Sequence, residues 1–130
     1  MDPQTLITSM PYAVAAGIEI SAAGADEVVG TMVWEETRCT VGGVLHGGAL
    51  MTLADSIGAV CAFFNLPPGA GTSTIESKTN LFRAVRGGTV TATARPLHVG
   101  RTTIAVQTEL RDDTGKLVAL TTQTQAVLTP

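Results

Sequence analysis

Gly42-Gly43-Val44-Leu45-His46-Gly47-Gly48-Ala49-Leu50-Met51-Thr52-Leu53-Ala54-Asp55 decides the reading of this chain. It is a glycine turn feeding an almost wholly apolar run. From His46 to Asn65 the only formal charge is Asp55. A helix apolar on nearly every side is a buried helix. The pattern predicts one long helix over about 47–64, stopped by Leu66-Pro67-Pro68-Gly69-Ala70-Gly71. A carboxylate inside such a helix is costly unless it is paired, hydrogen-bonded or used in chemistry. Asp55 is therefore the first candidate for function. The plain alternative is a structural ion pair with an arginine from a strand.

Upstream, residues 4–16 read as a short amphipathic helix around Leu6, Ile7, Met10 and Val14. Two strand-like runs follow at 18–22 and 27–34, joined by the turn signal Ala23-Gly24-Ala25-Asp26. Everything after the long helix reads as antiparallel sheet: 72–82, then 89–94 after Arg86-Gly87-Gly88, then 102–110 after Val99-Gly100. Asp112-Asp113-Thr114-Gly115 signals a hairpin into a last strand over 117–128. The order is β-β-α-β-β-β-β in one domain spanning 1–130. A single buried helix needs a sheet of about six strands curled around it, an α+β architecture.

Composition bounds the function. Hydrophobic residues make up 45% of the 130 positions, enough for a substantial core, and the net charge is -3. No basic run draws the chain to nucleic acid or to an anionic membrane, and one Trp with one Tyr offers little for base stacking. Asp55 interrupts the only apolar run approaching the ~20 residues of a membrane span. Met1-Asp2-Pro3-Gln4 lacks the basic opening of a secretory signal. Cys39 and Cys61 suggest no disulfide framework, so a reduced, cytoplasmic setting is expected. No Cys/His/carboxylate cluster has metal-ligand spacing, and no nucleophile elbow, P-loop or dinucleotide fingerprint is present.

His46 and Asp55 cannot act on one atom within one chain. Nine residues of helix separate them by ~13 Å and place them on opposite faces. If both act, a second copy of the helix must bring its Asp55 to the first copy's His46 end, as a two-fold axis between antiparallel helices would do. Gly47 and Gly48 open the helix, where backbone N–H groups are free and the dipole is positive. A ligand carbonyl can approach glycine closely there, which makes an oxyanion site; a packing glycine is the alternative. His46 contacts substrate, orients the loop or caps the helix, and its neutral form is favoured beside a helix N-terminus.

Leu45-His46-Gly47-Gly48 with Leu53-Ala54-Asp55 resembles the signature of hot-dog fold acyl-CoA thioesterases, in the branch of the phenylacetate-degradation and 4-hydroxybenzoyl-CoA thioesterases. Thr74-Ile75-Glu76 with Asn80-Leu81-Phe82-Arg83, His98-Val99-Gly100-Arg101-Thr102 and Gly115-Lys116-Leu117-Val118-Ala119 are similar to later parts of that family. The resemblance runs from about Ile18 to Leu128.

The resemblance implies an antiparallel sheet wrapped around a long helix, dimers formed by edge-to-edge sheet pairing, and dimers joined into tetramers. It implies acyl-CoA hydrolysis, with coenzyme A as part of the substrate and no further cofactor. Asp55 would be nucleophile or general base, supplied by the subunit opposite the one whose Gly47 N–H polarises the thioester carbonyl. Thr74 would help place the water. The family usually carries Asn or Gln where this chain has Thr40, and a hydroxyl has one donor where an amide has two. Gly48, Leu45, Arg83, Arg101 and Thr102 are the expected substrate contacts, with Val44, Met51 and Thr52 beside them and Arg86 a further cation for the CoA phosphates; for each arginine the plain alternative is a solvated turn residue. An aryl or medium-chain acyl group suits the apolar lining. A hydroxyacyl-thioester dehydratase and a non-catalytic acyl-CoA binder are the competing readings.

Overall fold

Asp2 accepts the Thr5 N–H at 3.0 Å and caps α1 (Pro3–Thr8). The helix expected over 4–16 is two helices, because Pro11 lacks an N–H and keeps Met10 out of the helical region, at φ -115° and ψ 86°; α2 is Pro11–Ala15. The structure, a computed structural model, describes residues 2–130. Two strands follow, β1 (Ile18–Ala23) and β2 (Val28–Val33). A loop of two short 3₁₀ turns leads to α3 (Gly47–Phe63). The remaining strands are β3 (Gly71–Leu81), β4 (Thr89–Val99), β5 (Thr103–Arg111) and β6 (Leu117–Leu128).

All six strands form one antiparallel sheet in the order β1-β2-β4-β5-β6-β3. The expected element order holds, and β4 runs five residues further than the alternating pattern suggested, through Pro96 and a bulge before His98. Inward positions alternate along the strands. Val90, Ala92 and Ala94 on β4 and Ile104, Val106 and Leu110 on β5 are fully buried. They pack on Leu50, Leu53, Ala54, Ile57 and Cys61 of α3, each side chain of Leu or Ile size gaining about 1.5–3 kcal/mol by leaving water. Gly30 on β2 lets α3 come close, since a Cβ there would overlap the Ile57 side chain.

Two departures from the expected picture matter for function. First, α3 is not enclosed on all sides: Met51, Asp55 and Phe63 form an open stripe along it. The apolar pattern could not distinguish a helix covered by its own chain from one whose last face is left open. Second, β3 crosses to the far edge of the sheet and pairs only with β6. Its outer edge is eleven residues of unpaired backbone, the kind of edge that accepts another strand.

Candidate active site

The loop before α3 is fixed by backbone contacts. Gly42 and Gly43 take φ of 80° and 73°, the left-handed region that favours glycine. Trp34 Nε1 donates to the Gly43 carbonyl at 3.0 Å, and Arg86 donates to the Gly42 carbonyl at 3.1 Å. Thr40 N–H donates to the Val44 carbonyl, while the Thr40 side chain stands exposed. Leu45 turns into the core, 3% exposed, with its N–H on the Val85 carbonyl. Leu45 is thus held in the core, while Arg86 is exposed and tied to the loop by its bond to Gly42.

His46 is the N-cap of α3. Its Nδ1 accepts the Gly48 N–H at 2.8 Å, so the ring is in the tautomer with the proton on Nε2. Of the two glycine amides, Gly48 is occupied. The Gly47 N–H makes no hydrogen bond to the described residues and lies at the positive end of the helix. Its approach is close to Leu81 at the end of β3, whose Cδ1 would lie 2.8 Å from a Cβ on Gly47.

Asp55 lies two turns further along α3, ~12 Å from Gly47 along the axis. Its carboxylate is exposed in the single chain, where a buried group had been expected. None of the ion pairs among the described residues includes it, which removes the structural ion-pair alternative within the chain. Burial by the surrounding protein nevertheless raises its pKa above the ordinary carboxylate value, and the nearby Thr74 hydroxyl acts in the opposite direction. Thr74 reaches Asp55 because β3 is bulged between Thr74 and Glu76, which re-aims the strand at that point.

Behind this pair lies a polar group that the sequence reading did not include. Gln123 Nε2 faces Asp55 Oδ1 at 3.5 Å and donates to Gln125 Oε1 at 3.0 Å. Gln125 Oε1 also accepts the Thr74 hydroxyl at 2.6 Å, and Gln125 Nε2 donates to Thr72 Oγ1 at 3.1 Å. The period-2 pattern of β6 could have shown that Thr121, Gln123 and Gln125 share the inward face.

The expected cations separate. Arg83 follows β3 at the Gly47 end, with its N–H on the Val118 carbonyl. Arg101 and Thr102 lie at the other end of β6, where Val127 N–H donates to the Thr102 carbonyl. Nine residues of strand put the two ends ~30 Å apart, so one chain alone does not bring Arg83 and Arg101 together. A cleft of about 370 Å³ opens beside the helix start, between Tyr12, Met32, Arg38, His46 and Thr52. Cys61 is inert in the core, its thiol pushed by burial up to about 11. No metal-binding cluster is found among the described residues, and no helix there is long and apolar enough to cross a membrane.

A helix wrapped by a six-stranded antiparallel sheet, with glycines at its start and a carboxylate at mid-length, defines the hot-dog class of thioester hydrolases. The chain belongs to the thioesterase superfamily, whose family model matches residues 42–119. It is 42% identical over 85 residues to a Vibrio cholerae protein named as an esterase, a match covering 65% of this chain and 57% of that one. It is 32% identical over 105 residues to the 1,4-dihydroxy-2-naphthoyl-CoA hydrolase of Escherichia coli K12, covering 81% of this chain and 77% of the other. The crystal structure of a Haemophilus influenzae thioesterase superposes with a TM-score of 0.93 at 32% identity, covering 99% of this chain and 92% of that one.

Proposed function

We propose that the protein hydrolyses an acyl-CoA thioester to the free acid and coenzyme A, at a site shared by two subunits. The observation that carries this is a division of labour along α3: a vacant Gly47 N–H at one end and a carboxylate free of cations, Asp55, two turns away. In one chain these groups are too far apart to meet one thioester. A two-fold axis crossing β3 near Ser77 and Lys78 would set Thr74 opposite the Leu81 of the partner subunit. Because Leu81 overlies Gly47 and Thr74 touches Asp55, that register carries each Asp55 to the other subunit's Gly47. It also sets Thr72 opposite the partner's Arg83. Thr72 pairs with Val127, and Val127 bonds Thr102, so Arg101 and the partner's Arg83 come within ~15 Å at strand spacings of ~5 Å. Two guanidinium groups so placed suit the CoA phosphates.

The chemistry follows from the placement. The thioester carbonyl oxygen accepts the Gly47 N–H, which stabilises the charge that develops there as the carbonyl is attacked. Asp55 takes a proton from water as the oxygen of that water bonds to the carbonyl carbon; collapse breaks the C–S bond, and the proton passes to the thiolate. Direct attack by Asp55 through an anhydride uses the same groups. The 1,4-dihydroxy-2-naphthoyl-CoA hydrolase among the relatives supports an aryl acyl group.

Release of free thiol from a panel of aryl, short-chain and long-chain acyl-CoAs tests the reading. Wild-type protein is expected to turn over at least one, and Asp55→Asn to lower kcat by at least about 100-fold with the fold intact. Full turnover by Asp55→Asn would falsify it. The shared site is tested by Ser77→Cys and Lys78→Cys variants, which are expected to form disulfide-linked dimers under mild oxidation; a monomer at micromolar concentration would refute it.

A further inference from the structure

The β6 glutamines are out of place in an ordinary core. Gln123 is 0% exposed and Gln125 is 1% exposed, beneath a helix otherwise packed on aliphatic side chains. Burying a carboxamide is costly unless its polar atoms are bonded, and Gln123 Oε1 has no partner among the described residues. The helix makes room for it: a Cβ on Gly58 would overlap Gln123 Oε1. Glycine in mid-helix is itself less favourable than alanine. Two local costs, one on α3 and one on β6, are therefore accepted to keep a carboxamide beside Asp55.

The direction of the hydrogen bonds gives the reason. An ionised Asp55 only accepts, so Gln123 presents Nε2 to it. Gln125 then receives that same Nε2 on its Oε1 and passes its own amide on to Thr72. The Thr74 hydroxyl has one proton and two acceptors within reach, Asp55 and Gln125 Oε1. At 2.6 Å the carboxamide oxygen is a strong competitor for it. The inward side chains that β3 and β6 offer here are uncharged: Thr72, Thr74, Thr79, Thr121, Gln123 and Gln125. Glu76 and Lys78 take the outer face of β3, since the neighbouring Thr79 points inward to Thr121 at 2.7 Å.

We propose that Gln123 and Gln125 are positioning residues for Asp55: Gln123 fixes one carboxylate oxygen, and Gln125 draws the Thr74 proton away from the carboxylate, leaving the other oxygen free to accept a proton from water. The proposal rests on the thioesterase reading of Asp55. Thr74, with its proton turned to Gln125, offers its lone pairs towards the carboxylate side, where they can accept from that same water.

The two glutamines should push Asp55 in opposite directions, which a merely structural role would not do. Titration of the Asp55 carboxyl carbon by NMR reads this directly. Gln123→Met removes a donor and is expected to raise the Asp55 pKa. Gln125→Met releases both the Thr74 proton and Gln123 Nε2 to the carboxylate and is expected to lower it. With an active acyl-CoA, Gln125→Met should lower kcat by about tenfold with KM within about twofold, the pattern of a lost transition-state effect. Should the buried variants fail to fold, Thr74→Val on the exposed edge strand serves: with its proton held by Gln125, Thr74 gives Asp55 no donor, so its removal must not raise the Asp55 pKa, and a rise overturns the proposal. Absent shifts or shifts of equal sign in the two glutamine variants, or an unchanged kcat in Gln125→Met, overturn it as well. Wild-type protein that releases no thiol, with the opposed shifts present, would instead strike the thioesterase reading alone.

Discussion

Replacing His46 by alanine separates a cap from a catalyst. The ring accepts one N–H, that of Gly48, at 2.8 Å, and is the only side-chain cap on the 17-residue helix. Losing an N-cap costs about 0.5–2 kcal/mol. Gly48 is half-buried, so water takes over part of the bond, and the expected loss is about 1 kcal/mol. For a chain of this size that is a fall in Tm of about 4 °C. His46→Asn keeps an acceptor at the N-cap and is expected to recover most of the loss. The assay is urea unfolding at fixed protein concentration, since self-association would make the midpoint concentration-dependent. If the cap is the whole role, His46→Asn also keeps kcat/KM within about threefold. Unchanged stability in His46→Ala, or no recovery in His46→Asn, would refute the capping argument. Recovered stability with lost turnover would assign the ring a direct contact with substrate.

Asp55→Asn is expected to stabilise the fold at neutral pH. Its pKa is raised in the folded state, so ionisation costs stability as pH rises through the window from the unfolded to the folded value; the gain over wild type should vanish below the ordinary carboxylate range, as unfolding curves at pH 3 and pH 7 would show. Gly30→Ala drives a methyl into Ile57 and should cost about 1–3 kcal/mol, while Gly30→Ala combined with Ile57→Val recovers part of it; chemical denaturation decides. Alkylation at pH 8 should modify Cys39, which is half-buried, well before Cys61, whose thiol at about 11 is about a thousandfold more protonated than ionised; mass spectrometry of native protein finding both labelled at one rate would contradict the buried assignment.

The sequence by itself determined the element order and the extent of α3 to within a residue, and it singled out Asp55 as the one formal charge in that helix. These are local matters: an apolar run, period-2 alternation, and Gly and Pro clusters act over a few residues. A cap was one of three roles the sequence left open for His46, beside a substrate contact and the orienting of the loop. Tertiary structure alone decided the rest. Pro11 split the first helix, but where β3 goes is a pairing between residues far apart in sequence, and that pairing makes β3 an open edge. The open stripe of α3 has the same origin. An apolar helix reads as buried whether its own chain or a second subunit covers its last face, so the exposure of Asp55 was invisible in the pattern. Gln123 and Gln125 carry no local sign of importance. They matter because β6 lies beside β3 and beneath Gly58, a coincidence in space that only the folded sheet creates.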